Sequence, residues 1–218
     1  MSSQAEENYL KAIFKLSGNE KRSVSTNSIA EELQTKPSSV SDMVKKLSEK
    51  DLIHYVKYQG VSLTKKGLSL AVHIVRKHRL WEVFLVNHLN FKWDEVHDIA
   101  EQLEHIKSPE LASRLDAFLN HPNYDPHGDP IPNAQGEFPK TTAIPLNEVI
   151  ISSQGKVVGV EMDEPSFLKY LDKLSISIGT QVEVLEKNDF DNSIDIKIDN
   201  VQRHISLDVA KNILIRVL

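Results

Sequence analysis

Histidine and carboxylate side chains recur at helical spacing in the middle of the chain. The segment HDIAEQLEHI contains His97, Glu101, Glu104 and His105, which occupy positions i, i+4, i+7 and i+8. Residues at these positions share one face of an α-helix. A helix predicted over residues 94–106 would therefore present two imidazoles and two carboxylates together.

A second pair of the same kind lies upstream. His78 and Glu82 are four residues apart in RKHRLWE, so they share a face of another predicted helix. Carboxylates grouped in a helical core are costly unless a cation or a proton neutralises them, and two such helices can enclose a divalent cation. The chain has no cysteine, and oxygen and imidazole ligands without thiolates suit manganese, iron(II) or zinc. The pattern predicts a metal site, with a solvated polar helix face as the ordinary alternative.

A zinc hydrolase is the enzymatic alternative for these residues. Its helical motif needs His-x-x-x-His with a catalytic glutamate, or His-x-x-Glu-His. Glu101 stands in the place of the first histidine of such a motif. We therefore expect that the protein is not an enzyme.

The first 65 residues have the pattern of a winged helix-turn-helix. Helices are predicted over residues 5–16, 26–34 and 38–50, and two β-prone runs, LIHYVKY and VSLT, flank a Gln59-Gly60 turn. One face of the first predicted helix carries Ala5, Tyr9, Ile13 and Leu16, so this helix is expected to be amphipathic. Residues 1–80 contain 14 basic and 8 acidic residues, whereas the whole chain has a net charge of -5. A basic N-terminal part on an acidic body is expected where only that part meets DNA.

The remainder of the chain is helical and then β-rich. Helices are predicted over residues 65–89, 94–106 and 109–120, and a proline-rich loop covers 121–143. From Ile144 the alternating runs KVVGVEM, TQVEVLE, SIDIKI and RHISL, with a helix at 165–174, indicate a small β-barrel-like domain. No apolar run is long enough to span a membrane and no secretory signal is visible, so we expect a cytoplasmic protein without a membrane partner.

Six segments resemble the diphtheria-toxin-repressor family of metal-dependent transcriptional regulators, above all its manganese-responsive streptococcal-type members. They are ENYLKAIFKL, KPSSVSDMVKKLSEKDLI, LTKKG, RKHRLWEVFLV, VHDIAEQLEHI and DPHGDPIP. The resemblance implies a mainly α protein with a small β part. It divides the chain into a winged helix-turn-helix DNA-binding domain (1–65), a helical metal-binding and dimerisation domain with a proline-rich linker (66–142) and a C-terminal SH3-like β-barrel domain (143–218).

The same resemblance implies a function. The protein would repress transcription as a homodimer on double-stranded operator DNA when loaded with Mn²⁺, and so control metal homeostasis. Fe²⁺ is the alternative cofactor, and Zn²⁺ is possible in vitro. A winged-helix regulator that responds to a small organic ligand, with structural histidines, is the alternative function.

The resemblance also implies two metal sites in each subunit. In the first site the ligands would be Asn8, Glu101, Glu104 and His105. The family has Asp or Met at the position of Asn8, and some relatives use a Glu at the position of Lys11, which cannot ligate a metal. For the second site two ligand sets stay open, one of His78, Glu82, His97 and Asp163, the other of Glu82, Asp125, His127 and Asp163.

Candidate DNA contacts lie on the third helix and on the wing. The residues expected to face base edges are Ser38, Ser39, Ser41 and Asp42. The residues expected to contact phosphates are Lys36, Lys45, Lys46, Lys57, Tyr58 and Gln59. An ordinary solvated charge is the alternative for each lysine.

Overall fold

Three helices and a hairpin form the N-terminal part of the chain. The computed structural model describes residues 2–18, 22–56 and 59–218. The helices are α1 (Gln4–Leu16), α2 (Thr26–Glu32) and α3 (Pro37–Glu49), and β1 (Ile53–Val56) pairs antiparallel with β2 (Gly60–Leu63). This order confirms the predicted winged helix-turn-helix.

Local sequence signals explain where these helices begin. The Ser3 hydroxyl accepts from the Glu6 amide while the Glu6 carboxylate accepts from the Ser3 amide, which forms a capping box at α1. The Ser25 hydroxyl caps α2, and Pro37 occupies the first turn of α3. On α1 the core face is Tyr9, Leu10, Ile13 and Phe14. Of the apolar face seen in the sequence, Tyr9 and Ile13 are buried, whereas Ala5 is exposed near the start of the helix.

Three further helices follow the hairpin. They are α4 (Lys65–Leu89), α5 (His97–Leu103) and α6 (Pro109–Phe118). The prediction of one helix over 94–106 is wrong at both ends, since Glu104 and His105 lie in a turn after α5.

The C-terminal part contains one six-stranded antiparallel sheet. Its strands are β3 (Ile144–Pro145), β4 (Gln154–Val160), β5 (Gln181–Lys187), β6 (Ile194–Ile198), β7 (Val201–Ile205) and β8 (Ile213–Val217), in the order β3-β8-β4-β5-β6-β7. Helix α7 (Pro165–Lys173) follows β4, and α8 (Leu207–Lys211), which the sequence pattern did not indicate, follows β7. The sheet has β3 and β7 as edges and is therefore open, whereas a barrel would be closed.

The chain forms two compact units. Unit 1 comprises Met1–His78, Glu101–Arg114 and Pro132–Phe138, and unit 2 comprises Arg79–Ala100, Leu115–Ile131 and Pro139–Leu218. The core of unit 1 is formed by α1–α3, the hairpin and the first half of α4. The largest core of unit 2 lies between the sheet and α7. In the described part of the chain, no helix combines the length and the apolar character needed to cross a membrane.

Candidate metal centre and DNA-binding face

Three buried side chains of unit 2 form a cluster of possible metal ligands. Glu82 lies on α4, and Asp125 and His127 lie in the loop that follows α6. One ligand atom from each lies within 4.8 Å of the others. The Glu82 and Asp125 side chains are 2% and 1% exposed, so water contributes little to stabilising their charges. Three members of the predicted four-residue set, Glu82, Asp125 and His127, are thus brought together in space, whereas the fourth, Asp163, is not part of this cluster.

The His127 ring is oriented by a backbone carbonyl. Its Nε2 lies 2.7 Å from the Trp93 carbonyl oxygen and donates a hydrogen bond to it. Its Nδ1 then faces Glu82, at 3.6 Å from Oε2. A histidine that donates through one ring nitrogen presents the other as a ligand atom, which is the arrangement found around protein-bound metals.

The loop that carries Asp125 and His127 is tightly constrained. The Asp125 Oδ1 accepts from the amides of His127 and Asp129, at 2.8 and 3.0 Å. The Val160 amide on β4 donates to the His127 carbonyl at 2.8 Å. Between these bonds, Gly128 has a φ of +86°, and a Cβ there would lie 2.1 Å from the Val158 carbonyl oxygen. The backbone therefore holds both ligands in place.

Charge interactions within the cluster favour a cation. Burial raises the pKa of Asp125 well above its usual range, the charges of Glu82 and Asp129 raise it further, and Arg79 and His127 only partly oppose them. Burial lowers the pKa of His127, but Glu82 and Asp125 outweigh this and raise it to about 9. Two buried carboxylates, which are hard donors, and one imidazole, which is a borderline donor, fit Mn²⁺, Fe²⁺ or Zn²⁺.

The other predicted ligands of unit 2 lie at the open side of this cluster. His97 Nδ1 is 3.7 Å from Glu82 Oε1 and 3.5 Å from Asp163 Oδ2. The His97 and Asp163 side chains are 37% and 41% exposed, which provides a side from which an ion can enter. Glu82 and Asp163 belong to both ligand sets that the sequence left open, and of these two only Glu82 is buried.

The predicted ligands of unit 1 have a different environment, because a lysine lies among them. Lys11 Nζ is 3.0 Å from Glu101 Oε1 and 2.9 Å from Glu104 Oε2. His78 Nδ1 donates to the same Glu104 Oε2 at 2.7 Å. Burial raises the pKa of Glu104, but the His78 hydrogen bond and the Lys11 charge outweigh it and hold the pKa below its usual value.

The last two predicted ligands of unit 1 are His105 and Asn8. His105 Nδ1 donates to Glu7 Oε2 at 2.7 Å. Asn8 Oδ1 is buried and has no hydrogen-bond partner among the described residues. Glu7 was not among the residues predicted for this region. It lies four residues before Lys11 and therefore on the same face of α1, and this spacing in the sequence could have indicated it.

The predicted DNA contacts that the structure describes are all exposed. They are Lys36, Ser38, Ser39, Ser41, Asp42, Lys45, Lys46 and Gln59. Lys57 and Tyr58 lie outside the described residues. Val40, Val44 and Leu47 are fully buried on the opposite face of α3, so the outer face is free of core packing.

One lysine of this face also has an internal partner. Lys46 Nζ is 2.9 Å from Glu6 Oε1, and Lys50 Nζ is 2.7 Å from the same oxygen. The Glu6 side chain is fully buried and also caps α1. These pairs join the start of α1 to the end of α3, a role of Glu6 and Lys50 that the sequence pattern did not reveal.

Sequence models of known domains match three parts of the chain. The iron dependent repressor N-terminal DNA binding domain matches residues 1–61. The iron dependent repressor metal binding and dimerisation domain matches residues 64–133, and the FeoA domain matches residues 144–217.

Solved structures and curated proteins extend this similarity. A solved manganese-dependent transcriptional repressor in complex with manganese is 36% identical, with a TM-score of 0.87, over 98% of this chain and 100% of that one. The iron-dependent repressor IdeR of Mycobacterium bovis is 38% identical over 104 residues, which are 48% of this chain and 45% of IdeR. A probable metal transport system membrane protein of Chlamydia trachomatis is 48% identical over 96 residues, 44% of this chain and 20% of that protein. The matches thus span less than half the length of these two curated relatives.

Proposed function

The chain belongs to the diphtheria-toxin-repressor family of metal-dependent transcriptional repressors, and we propose that it represses transcription when a divalent metal ion occupies the Glu82, Asp125 and His127 cluster. The observation that carries this proposal is the buried cluster of two carboxylates and an oriented imidazole in unit 2. The family is one of repressors rather than enzymes. The three domains would be those of residues 1–65, 66–142 and 143–218, and operator binding requires a cytoplasmic location.

Manganese is the metal that we propose. The donors are oxygen and nitrogen atoms, and the similar solved repressor contains manganese. The similarity to IdeR keeps iron(II) as the alternative. A small organic ligand is a weaker candidate, because the cluster offers buried charges, whereas organic ligands are held mainly by apolar walls.

Hydrogen bonds within the chain orient the proposed ligands in the absence of a metal ion. Trp93 orients the His127 ring, and the hydrogen bonds around Asp125 and Val160 hold the loop against β4. When bound, the cation would supply the positive charge that balances Glu82 and Asp125. Glu82 lies on α4, which begins directly after the wing, so fixing Glu82 acts on the helix that leads from the DNA-binding domain. Metal and DNA would then favour the same state of the chain, and their coupling is reciprocal.

DNA binding with and without metal tests this function. A duplex selected from a random library by the Mn²⁺-loaded protein would be labelled and followed by fluorescence anisotropy. A coupling free energy of ~1–3 kcal/mol predicts DNA binding that is roughly 5- to 150-fold tighter with Mn²⁺. Equal affinity with and without Mn²⁺, Fe²⁺ and Zn²⁺ would contradict the proposal.

Matched variants connect the response to the cluster. Asp125→Asn keeps the size of the side chain but removes its charge, and we expect it to abolish the response to Mn²⁺. Glu161→Gln makes the same kind of change at an exposed position of unit 2, and we expect the full response. If Mn²⁺ tightens DNA binding of Asp125→Asn as much as that of wild type, the metal ion that controls DNA binding does not bind at this cluster.

A further inference from the structure

Lys11 lies where two carboxylates of unit 1 approach each other. Its ammonium group is 3.0 Å from a Glu101 oxygen and 2.9 Å from a Glu104 oxygen, so it donates to both at once. The Glu104 side chain is fully buried and the Lys11 side chain is only 18% exposed. A positive charge is thus already located between the carboxylates that would otherwise attract a metal ion.

The other charged atoms of this region are also engaged. Glu104 Oε2 accepts from His78 as well as from Lys11, and His105 donates to Glu7. Within the described part of unit 1, no three ligand atoms from the carboxylates and histidines lie within 4.8 Å of one another. A divalent cation would have to displace these contacts and approach an ammonium of like charge.

Two buried oxygens in this region lack a hydrogen-bond partner among the described residues, namely Asn8 Oδ1 and Glu104 Oε1. The Asn8 amide is neutral, and the charge of Glu104 is already opposed by Lys11. These two atoms therefore supply no uncompensated negative charge for a divalent ion. The cluster of unit 2 differs, because Glu82 and Asp125 are both buried and offer carboxylate oxygens within 4.8 Å of each other.

We infer that the Lys11 ammonium takes the place of a metal ion in unit 1. It links α1 to the segment after α5 without metal, and each chain binds a single divalent cation, in unit 2. The count of one ion rests on the proposed function, whereas the replacement of metal by Lys11 does not.

The number of Mn²⁺ ions bound to each chain tests this inference. It would be measured by equilibrium dialysis with elemental analysis on the full chain, for wild type, Glu82→Gln, Lys11→Glu and the double variant. We expect one, none, two and one ion, respectively. Two ions in wild type, or one ion retained in Glu82→Gln, would overturn the role of Lys11, because Glu82 belongs to both ligand sets considered for unit 2. An unchanged count in folded Lys11→Glu would also overturn it.

The design separates this inference from the proposed function. If wild type binds no Mn²⁺ and Lys11→Glu binds one ion, the proposed site in unit 2 fails while the replacement of metal by Lys11 stands. Lys15→Glu is the matched control, because it makes the same charge change one turn along α1, at a side chain that is 65% exposed. If Lys15→Glu also binds an additional Mn²⁺ ion, the inference is overturned, because the change in net charge and not the position of Lys11 would then explain the additional ion. If Lys11→Glu does not fold, the wild-type and Glu82→Gln counts still decide the question.

Discussion

Single carboxylates in this protein have very different roles according to their partners. Glu6 is buried against two lysines, Glu104 against a lysine and a histidine, and Glu82 lies near another carboxylate. Burial of a charge is unfavourable in each case, and the partner decides whether the charge stabilises the fold or creates a site for a cation. The sequence shows the residue types but not these partners.

Glu6 is expected to make folding stability depend on acid pH. Burial would raise its pKa, but Lys50, Lys46 and the Ser3 amide outweigh this and lower it from 4.5 to about 2. Because the folded pKa is the lower one, the stabilisation is complete above about pH 4.5 and is lost as the pH falls towards 2. Glu6→Gln should cost ~1–3 kcal/mol of unfolding free energy at pH 7, and the difference should vanish at low pH. Urea denaturation across this range measures both effects.

An exposed ion pair provides the control for Glu6. Lys15 and Glu32 are 3.1 Å apart, with side chains 65% and 29% exposed. Such pairs contribute little, so Glu32→Gln should change the unfolding free energy by less than about 1 kcal/mol. If Glu6→Gln and Glu32→Gln lose equal unfolding free energy, the buried ion pairs of Glu6 stabilise the fold no more than an exposed pair does.

Glu82 is expected to matter more for metal than for folding. Glu82→Gln keeps the shape of the side chain and removes one of two buried like charges, so the fold should persist without metal. Mn²⁺ affinity measured by calorimetry should fall at least ~10-fold, because a buried carboxylate common to both ligand sets is lost. Wild-type affinity in a folded Glu82→Gln protein would exclude Glu82 as a ligand.

At the scale of elements, the loop after α6 is as important as the helices. The helical periodicity of α4 predicted that His78 and Glu82 share a face, but a proline-rich loop has no periodicity from which its path could be derived. Asp125 and His127 were identified through family resemblance alone. Their placement depends on the hydrogen bonds to Trp93 and Val160, which join residues more than 30 positions apart in sequence.

Gly128 is expected to be required for this loop. A Cβ at Gly128 would meet backbone at 2.1 Å in addition to the strain of a φ of +86°, so Gly128→Ala should cost more than ~2 kcal/mol and lower Mn²⁺ affinity. Gly18 has a φ of +62° with no atom within 4 Å of an added Cβ. Gly18→Ala should therefore cost only about 1 kcal/mol and leave Mn²⁺ affinity unchanged. Thermal melts of both variants measure the loss of folding stability, and calorimetry measures their Mn²⁺ affinity. Backbone strain alone lowers only the stability, whereas displacement of the loop from β4 lowers both.

The outer face of α3 is expected to contact phosphates through Lys45. Lys45→Ala should weaken binding to all DNA sequences similarly and reduce the slope of log affinity against log salt by roughly 1. Lys173→Ala removes an exposed lysine from α7 and should change neither quantity. A loss confined to one DNA sequence would instead assign Lys45 to base recognition.

At the scale of the whole molecule, the sequence predicted the order of elements better than their packing. The winged helix-turn-helix, α4 and the alternating strands follow from local periodicity and turn residues, which the sequence contains directly. The sequence did not predict an open sheet, because its edges depend on which strands pair. It did not predict α8, because this helix has only five residues. The Lys11 contacts to Glu101 and Glu104 span about 90 residues, so no local pattern could have predicted them.

The assembly of two chains is the last prediction, and it depends on an aromatic group near the end of α6. The Phe118 ring is 4.8 Å from the His88 ring and 6.1 Å from the Phe84 ring, yet Phe118 is 62% exposed. All three residues lie within the part matched by the metal binding and dimerisation domain. A second copy of the chain is therefore the partner expected to cover this group.

Phe118→Asp should convert a dimer into the 24.7 kDa monomer in sedimentation velocity at micromolar concentration. It should also weaken operator binding, because paired half-sites are read by a two-fold symmetric dimer. Phe190→Asp is the matched control, since Phe190 is 94% exposed but lies in the C-terminal sheet domain, and it should remain dimeric. A dimeric Phe118→Asp would place the interface on another surface, and a monomeric wild type would contradict recognition of paired half-sites. Because a charge in a buried apolar contact is far more costly than one at an exposed position, the two phenylalanines should differ clearly.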